Sequence, residues 1–318
     1  MGYNSKIEWT HHTTNLWWGC FEVHEGCDNC YARVWSNRYN NGDNTLWGSK
    51  APRKETKTWA KDLIKYNRIA EAAGEIHRVF IGSMMDIFEK PMQVVNHNFE
   101  IMDYDTHYLR TKLFEEIVPK TPNLMYLFLT KRPSNINKYI PESWKKNPPK
   151  NVMFGTSVVN QETANKLIPQ LLEVKGQLFL SVEPQLGEIN FRHTYLRKGA
   201  LFGDDKNWWL QGIDWVIVGG ESGAKRRPYD TAWGRSIKEQ CKAHSVPFFF
   251  KQIDKVIPIP DNLKVREFPK YHTLLVLEVF YNFCVVCKDE MKEFGDVCPT
   301  CMEKHREWEK KHRKKQKT

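Results

Sequence analysis

"NVMFGTSVVNQETANKLIPQLLEVKGQLFLSVEPQLG" occupies residues 151–187. It opens with an apolar run that closes on Thr156 and Ser157. A helix-like segment follows over residues 160–174, with Asn160 and Glu162 as helix-starting residues. A second apolar run, "QLFLSVEP", then ends in Glu183. Continuous apolar runs of this length suit strands covered on both faces, as in a parallel sheet. The stretch therefore reads as strand, helix, strand.

The same alternation extends in both directions. Further apolar runs ending in polar residues or glycine are "HRVFIGSMMD" (77–86), "LMYLFLTKRP" (124–133), "WVIVGGESG" (215–223) and "VPFFFKQ" (246–252). "DTAWGRSIKEQCKAH" (230–244) fills one interval as a second helix-like segment, with Asp230 at its start. Such repetition predicts an α/β barrel or a doubly wound sheet. In either, reactive groups belong where strands end and loops begin. Those positions hold Ser83 and Asp86, Thr130 to Arg132, Thr156 and Ser157, Glu183, Gly219 to Glu221, and Lys251 with Gln252. Around residue 256, "VIPIPDNLKVREFPK" is rich in proline and charge and reads as a linker or extended edge segment. The expected division is residues 1–255, a linker and cysteine unit over 256–303, and a tail over 304–318.

The chain has 318 residues, 41% of them apolar, with 12 tryptophans, enough for a sizeable core. No apolar run approaches the ~20 residues needed to cross a bilayer. The first residues, "MGYNSKIEWT", carry no signal region, and Lys6 breaks a myristoylation pattern. A cytoplasmic protein is expected. The net charge of +10 is concentrated in "KHREWEKKHRKKQKT" (304–318), where eight Lys or Arg face two Glu. That tail is either a solvated helical end or an arm that releases counterions from nucleic acid.

Of eight cysteines, seven sit in C-x2-C-type groups, which favours metal binding over disulfides. "CVVCKDEMKEFGDVCPTC" sets Cys284, Cys287, Cys298 and Cys301 as two knuckles that can close a tetrahedron around Zn2+, or around rubredoxin-like iron. A closed four-thiolate site supplies the stability that a ~40-residue unit cannot build from a core.

"WWGCFEVHEGCDNCYARVW" (17–35) holds only three, Cys20, Cys27 and Cys30, spaced C-x6-C-x2-C. A histidine (His11, His12 or His24) could complete a zinc site, or Cys241 could arrive from far away in the chain. Alternatively, three thiolates hold a [4Fe–4S] cluster and leave one iron open. That iron can bind S-adenosylmethionine and pass an electron to its sulfonium, releasing a carbon radical.

With "IEWTHHTTN" before it, this loop resembles that of a phage- and prophage-associated family of unknown function, the three-Cys-motif, radical-SAM-like proteins. The resemblance continues through "GSMMDIFE" (82–89), "LFLTKRP" (127–133), "FGTSVVNQE" (154–162), "LSVEPQLG" (180–187), "IVGGESGAKRRPYD" (217–230) and "WGRSIKEQCKAHSVPFFFKQ" (233–252). It implies a partial (βα)6 barrel of the radical-SAM type, with cluster and S-adenosylmethionine at the carboxyl ends of the strands. An electron donor such as flavodoxin or ferredoxin is implied with it. Gly219, Gly220 and Glu221 resemble the segment that holds the S-adenosylmethionine amino group in that superfamily, although two glycines also make a tight turn. Ser83 and Asp86 are rival candidates for the amino group or ribose, and Glu183 for ribose or substrate. Glu183 could instead form an ion pair with an arginine on the barrel top.

Arg132, with Lys131 and Lys225 to Arg227, could grip the ligand carboxylate or phosphates. Trp9, Trp17, Trp18, Trp35, Trp47, Trp208, Trp209 and Trp233 could stack bases, or belong to the core as Trp215 does. The sequence thus predicts an iron–sulfur enzyme cleaving S-adenosylmethionine and acting on nucleic acid, in base modification or repair. The alternatives are a non-catalytic, zinc-stabilised nucleic-acid-binding protein, and a radical enzyme for a small metabolite or protein side chain.

Overall fold

The computed structural model describes residues 2–39, 45–192 and 208–269. The chain divides into two units, Met1–Pro269 and Lys270–Thr318. Cys284, Cys287, Cys298 and Cys301, and the basic tail, lie outside the described residues.

The strands are β1 (His12–Thr14), β2 (Trp17–Trp18), β3 (Arg53–Glu55), β4 (His77–Ile81), β5 (Gln93–Val95) and β6 (Ile101–Asp105). They continue as β7 (Leu124–Thr130), β8 (Val152–Ser157), β9 (Gln177–Val182), β10 (Trp215–Gly219) and β11 (Phe248–Gln252). The helices are α1 (Tyr31–Tyr39), α2 (Trp59–Ala73), α3 (Thr106–Lys112), α4 (Ile136–Tyr139), α5 (Glu142–Lys146), α6 (Gln161–Leu171) and α7 (Thr231–Ala243).

The main sheet has seven strands in the order β1-β4-β7-β8-β9-β10-β11, every pair parallel. Each strand adds beside the one before it, so the sheet winds in one direction. β4, β8 and β10 are buried along their whole length, which explains their unbroken apolar runs. One face presents Val79, Phe128, Phe154, Leu180, Val218 and Phe250 to the core shared with the helices. α6 shows how such a helix is set: Asn160 and Thr163 form a reciprocal capping box, and Ala164, Leu167, Ile168 and Leu171 face inward.

The other face curls around a second apolar interior. The Trp9 ring lies 4.7 Å from Phe80 of β4 and 6.3 Å from Trp215 of β10, so it touches strands from opposite halves of the sheet. Arg266 reaches Glu8 at 2.9 Å, and the Arg78 guanidinium sits 4.0 Å over the Phe268 ring. The segment after β11 thus returns to the N-terminal segment; Phe249 and Arg266 form a bridge there. A Cβ on Gly155 would come within 2.4 Å of the Phe179 ring, so the absent side chain makes room for that ring.

The partial (βα)6 barrel expected from the sequence is corrected here: the fold is a curled, all-parallel sheet of seven strands with seven helices among the described residues. The added strand is β1, only three residues long and polar (His-Thr-Thr), which local patterning could not reveal. A second sheet, ordered β2-β3-β5-β6, is inserted around the first crossovers. Between β9 and β10 the described residues contain a single 3-10 turn, Trp209–Gly212, where a helix was required by the barrel repeat. The small zinc-binding cysteine unit expected after the barrel has its four cysteines outside the described residues. Among the described residues, no helix is long and apolar enough to cross a membrane.

Candidate functional site

The cysteine loop lies across the carboxyl ends of the parallel strands. Gly19 starts it, at φ +119, where a Cβ would fall 2.5 Å from Leu46 O and 2.9 Å from Arg53 Cδ. Cys20 follows, its carbonyl accepting from Gly48 N at 2.9 Å. Cys27 ends a short 3-10 turn, and Cys30 immediately precedes α1. Cys27 O accepts from Cys30 N at 3.2 Å.

Groups from four strand ends fasten this loop. After β7, Arg132 donates to Phe21 O at 2.9 Å and lies 4.1 Å over the Phe21 ring. After β8, Asn160 donates to Glu25, and a Cβ on Gly26 would lie 2.7 Å from Val159 Cγ1. After β10, Arg227 donates to Glu25 O at 3.1 Å, and Asn29 donates to Glu221 at 3.0 Å. After β4, Ser83 O accepts from the Tyr31 hydroxyl at 2.9 Å. Burial raises the Tyr31 phenol's pKa, and negative charge from Cys30 and Glu183 adds to it. The aromatic residue after the last cysteine is therefore tied to the end of β4.

The candidate carboxylates on this rim have protein partners. Asp86 accepts at Oδ1 from Thr130 Oγ1 (2.7 Å) and Phe88 N (3.0 Å), and at Oδ2 from Arg132 (2.6 Å) and Lys131 N (3.1 Å). Burial pushes its pKa up, but Arg132 and these hydrogen bonds outweigh burial and hold it below the usual carboxylate range. Glu221 accepts three bonds from Arg227 and one from Asn29. There, too, burial is outweighed and the carboxyl is held low.

Glu183 pairs with Lys251 at 2.8 Å, a lysine where an arginine was expected from the sequence. Gly219 and Gly220 serve close backbone approach. A Cβ on Gly220 would lie 2.1 Å from Ile253 O, and one on Gly219 would lie 2.8 Å from Glu183 Oε1. Ser83 Oγ accepts from Asn15 at 2.8 Å. Of the flanking cations, Arg226 is held by Asp254 at 2.7 Å.

Cys20 is pushed up to about 12, first by burial and then by Glu89 and Asp86, so a free thiol there stays neutral. Beneath it Glu89 receives Arg53 at 2.6 and 2.8 Å and Trp17 Nε1 at 3.1 Å, a wholly buried ion pair that bolts β3 to the rim. His24 Nδ1 accepts from Gly26 N at 3.1 Å, which places the ring proton on Nε2. Burial, then Lys131, Arg132 and Lys166, lower its pKa to about 4, and Nε2 is buried without a hydrogen-bond partner among the described residues. His11 and His12 lie on or beside β1, bound to Arg78 N and to His77, away from the loop. Cys241 is buried in α7 near the amino end of β11, at the opposite edge of the sheet.

Among the described residues no group of three or more His, Cys, Asp or Glu side chains is placed to hold a metal ion. Cys20, Cys27 and Cys30 share a clamped loop, and in this conformation they do not converge on one point. Among the tryptophans, Trp9, Trp17, Trp209 and Trp215 are core residues, whereas Trp35 is exposed on α1. The sequence reading did not recognise that Tyr31, Trp35 and Tyr39 recur every fourth residue and so share one face of α1. Nor did it identify Asn29 and Arg227 as loop anchors, since their partners are about 200 residues away in sequence.

No curated protein matches the chain. Membership of the phage and prophage three-Cys-motif, radical-SAM-like family is corrected by the family match, which carries no radical-SAM assignment. A family model described as "Protein of unknown function (DUF5131)" matches residues 4–270, well over half of the chain, and the protein belongs to that family.

Proposed function

We propose that this protein is an iron–sulfur enzyme in which Cys20, Cys27 and Cys30 hold a [4Fe–4S] cluster, S-adenosylmethionine binds beside it, and nucleic acid is the substrate class. The supporting observation is the three-thiol loop laid over the carboxyl ends of parallel strands, the edge where α/β sheets place their ligands. The donor set suits the group. A buried Cys20 that resists ionisation beside Glu89 and Asp86 becomes a thiolate readily only when a cation ligates it. A cubane also takes its thiolates at separate irons, so its ligands surround a volume and need not meet at a point.

When bound, such a cluster supplies single-electron reduction of a sulfonium, with electrons from a flavodoxin- or ferredoxin-like donor. The chain's own residues have other work. Arg132 and Arg227 fix both limbs of the loop, and Asp86 and Glu221 are engaged in holding those arginines. The Glu183–Lys251 pair takes no part in these clamps, and so offers contacts for a ligand's polar end.

The alternative, a structural zinc ion completed by His24, needs Nε2 as the ligating atom. The hydrogen bond at Nδ1 leaves a proton on that atom. The deciding experiment is anaerobic purification with iron, sulfide and zinc analysis, followed by reduction with S-adenosylmethionine and chromatography for 5′-deoxyadenosine. The reading requires a coloured, iron-containing protein that forms this product, and a variant with all three cysteines changed to serine that folds but lacks iron. A colourless protein carrying zinc on the loop refutes it.

A further inference from the structure

A pocket of about 320 Å³ opens where β1, β2, α1 and the start of α2 meet. Its rings include Trp18, Trp35 and Tyr39. Tyr39 lies stacked on Trp35 (5.7 Å, 22°) and edge-on to Trp18 (5.7 Å, 76°). Trp35 is 42% exposed and Tyr39 63%, large apolar surfaces that a chain leaves uncovered where something docks. The polar equipment is small and specific. Thr14 Oγ1 is buried and has no hydrogen-bond partner among the described residues. Asp62 accepts the Thr58 hydroxyl at Oδ2 (2.7 Å), which leaves Oδ1 as an open acceptor among the described residues. Among the described residues, no Lys, Arg or His lines the pocket.

We propose that this pocket receives one unstacked nucleobase bearing an exocyclic amino group. The volume is at the low end for ligand sites and suits a single flat heterocycle. Indole and phenol faces give sequence-tolerant stacking. A carboxylate accepts from an exocyclic amine, as Asp and Glu do from cytosine N4. The Thr14 hydroxyl can serve the neighbouring ring nitrogen or carbonyl, because a hydroxyl both donates and accepts. The absence of cations from the walls leaves the phosphates outside. An organic ammonium ion would use the rings and Asp62 but leave the Thr14 hydroxyl without a partner.

The pocket also communicates with the rim. Asn15 lines it and donates to Ser83, and the Tyr31–Trp35–Tyr39 face of α1 runs from Ser83 O to the pocket. The proposal rests on the preceding function for its chemistry, since Cys20 and Cys30 flank the pocket-forming β2 and α1. Base binding itself needs no cluster.

The test is calorimetric titration of the full chain with cytidine, adenosine, guanosine and uridine, with a single-stranded oligocytidylate, and with choline. The amino-bearing nucleosides should bind more tightly than uridine. Tighter binding of the oligomer identifies a polymer as the source of the base; equal binding identifies a free nucleoside. Trp35→Ala should weaken cytidine binding roughly tenfold, about the worth of one base–aromatic stack. Tyr39→Ala checks the same wall independently. Asp62→Asn should erase the preference for cytidine over uridine while leaving the circular dichroism spectrum and Tm unchanged.

An unchanged affinity in both ring variants, an intact preference in Asp62→Asn, binding of choline alone, or no heat with any nucleoside up to about 10 mM overturns the proposal. Iron is measured on the same preparation. Base binding without iron defeats the cluster assignment alone, and iron without base binding defeats this one alone.

Discussion

Replacing Arg132 with leucine tests the clamp on the cysteine loop. The guanidinium is 9% exposed and its Asp86 partner 7%, so water screens the pair little. Breaking such a buried pair by removing one partner costs about 3–5 kcal/mol, because the other charge stays behind. Asp86 would keep Thr130, Lys131 N and Phe88 N, which places the expected loss near the lower value. That is still a large share of the ~5–15 kcal/mol by which domains are stable.

The pH dependence follows from sign. In the native protein the Asp86 pKa is depressed, so its contribution is full above the unfolded carboxylate value and is lost as pH falls through the folded value. Without Arg132, burial is opposed only by the three remaining hydrogen bonds, and the folded pKa rises. The variant's deficit is then greatest at neutral pH and shrinks in acid as Asp86 takes a proton. Urea unfolding at pH 7 and pH 5 measures both values. The double variant Arg132→Leu, Asp86→Asn should recover most of the loss, since no buried charge remains unpaired. A deficit below about 1 kcal/mol, or one equal at both pH values, would falsify the claim that Arg132 neutralises a buried carboxylate.

Two further outcomes concern the sheet. Asn4 N donates to His12 Nδ1 (3.3 Å), and His12 Nε2 meets His77 Nδ1 (3.0 Å), an arrangement that needs a neutral His12. Burial, and then His77, lower its pKa to about 4. A group charged more easily when unfolded stabilises the fold above pH ~6.5 and withdraws that support as pH falls toward 4, here by about 2 kcal/mol. Melting curves between pH 7 and 4.5 should show an acid-induced drop in Tm that a His12→Gln variant lacks; equal drops would refute it. Gly155→Ala places a methyl 2.4 Å from the Phe179 ring and should cost about 1–3 kcal/mol in urea unfolding by overpacking. A neutral result would mean that Phe179 shifts freely.

The six apolar runs were legible because strands buried on both faces need no polar alternation, and β4, β7, β8, β9, β10 and β11 fall on them. β1 was illegible because nothing in His-Thr-Thr is apolar. Its residues are buried by pairing with β4 and by the Tyr66 ring, which stacks 4.2 Å from His12, both distant in sequence. β3 was hidden for a related reason: Arg53 reads as surface but is wholly buried against Glu89. At the rim, strand-end position was readable, while the partners of each group were not. Glu221 and Asp86 look like ligand-binding carboxylates until Arg227 and Arg132 are seen to fill them.

These pairings decide which way metal and fold depend on each other. In a zinc finger the ligands are unordered until the ion arrives, so binding energy is folding energy. In this protein the loop is fastened by bonds that owe nothing to a metal: Arg132 and Arg227 to its carbonyls, Asn29 and Asn160 to carboxylates, and Tyr31 to Ser83. Those anchors come from β4, β7, β8 and β10, so the loop cannot swing away without surrendering contacts along most of the sheet's edge. The fold therefore presents the thiols already positioned near the rim. Removing all three should cost little stability, because their ordering entropy is offset by the clamps and not by coordination. Under the proposed cluster assignment, the adjustment that brings them onto one group falls in the short turns around Cys20, Cys27 and Cys30, between these anchors.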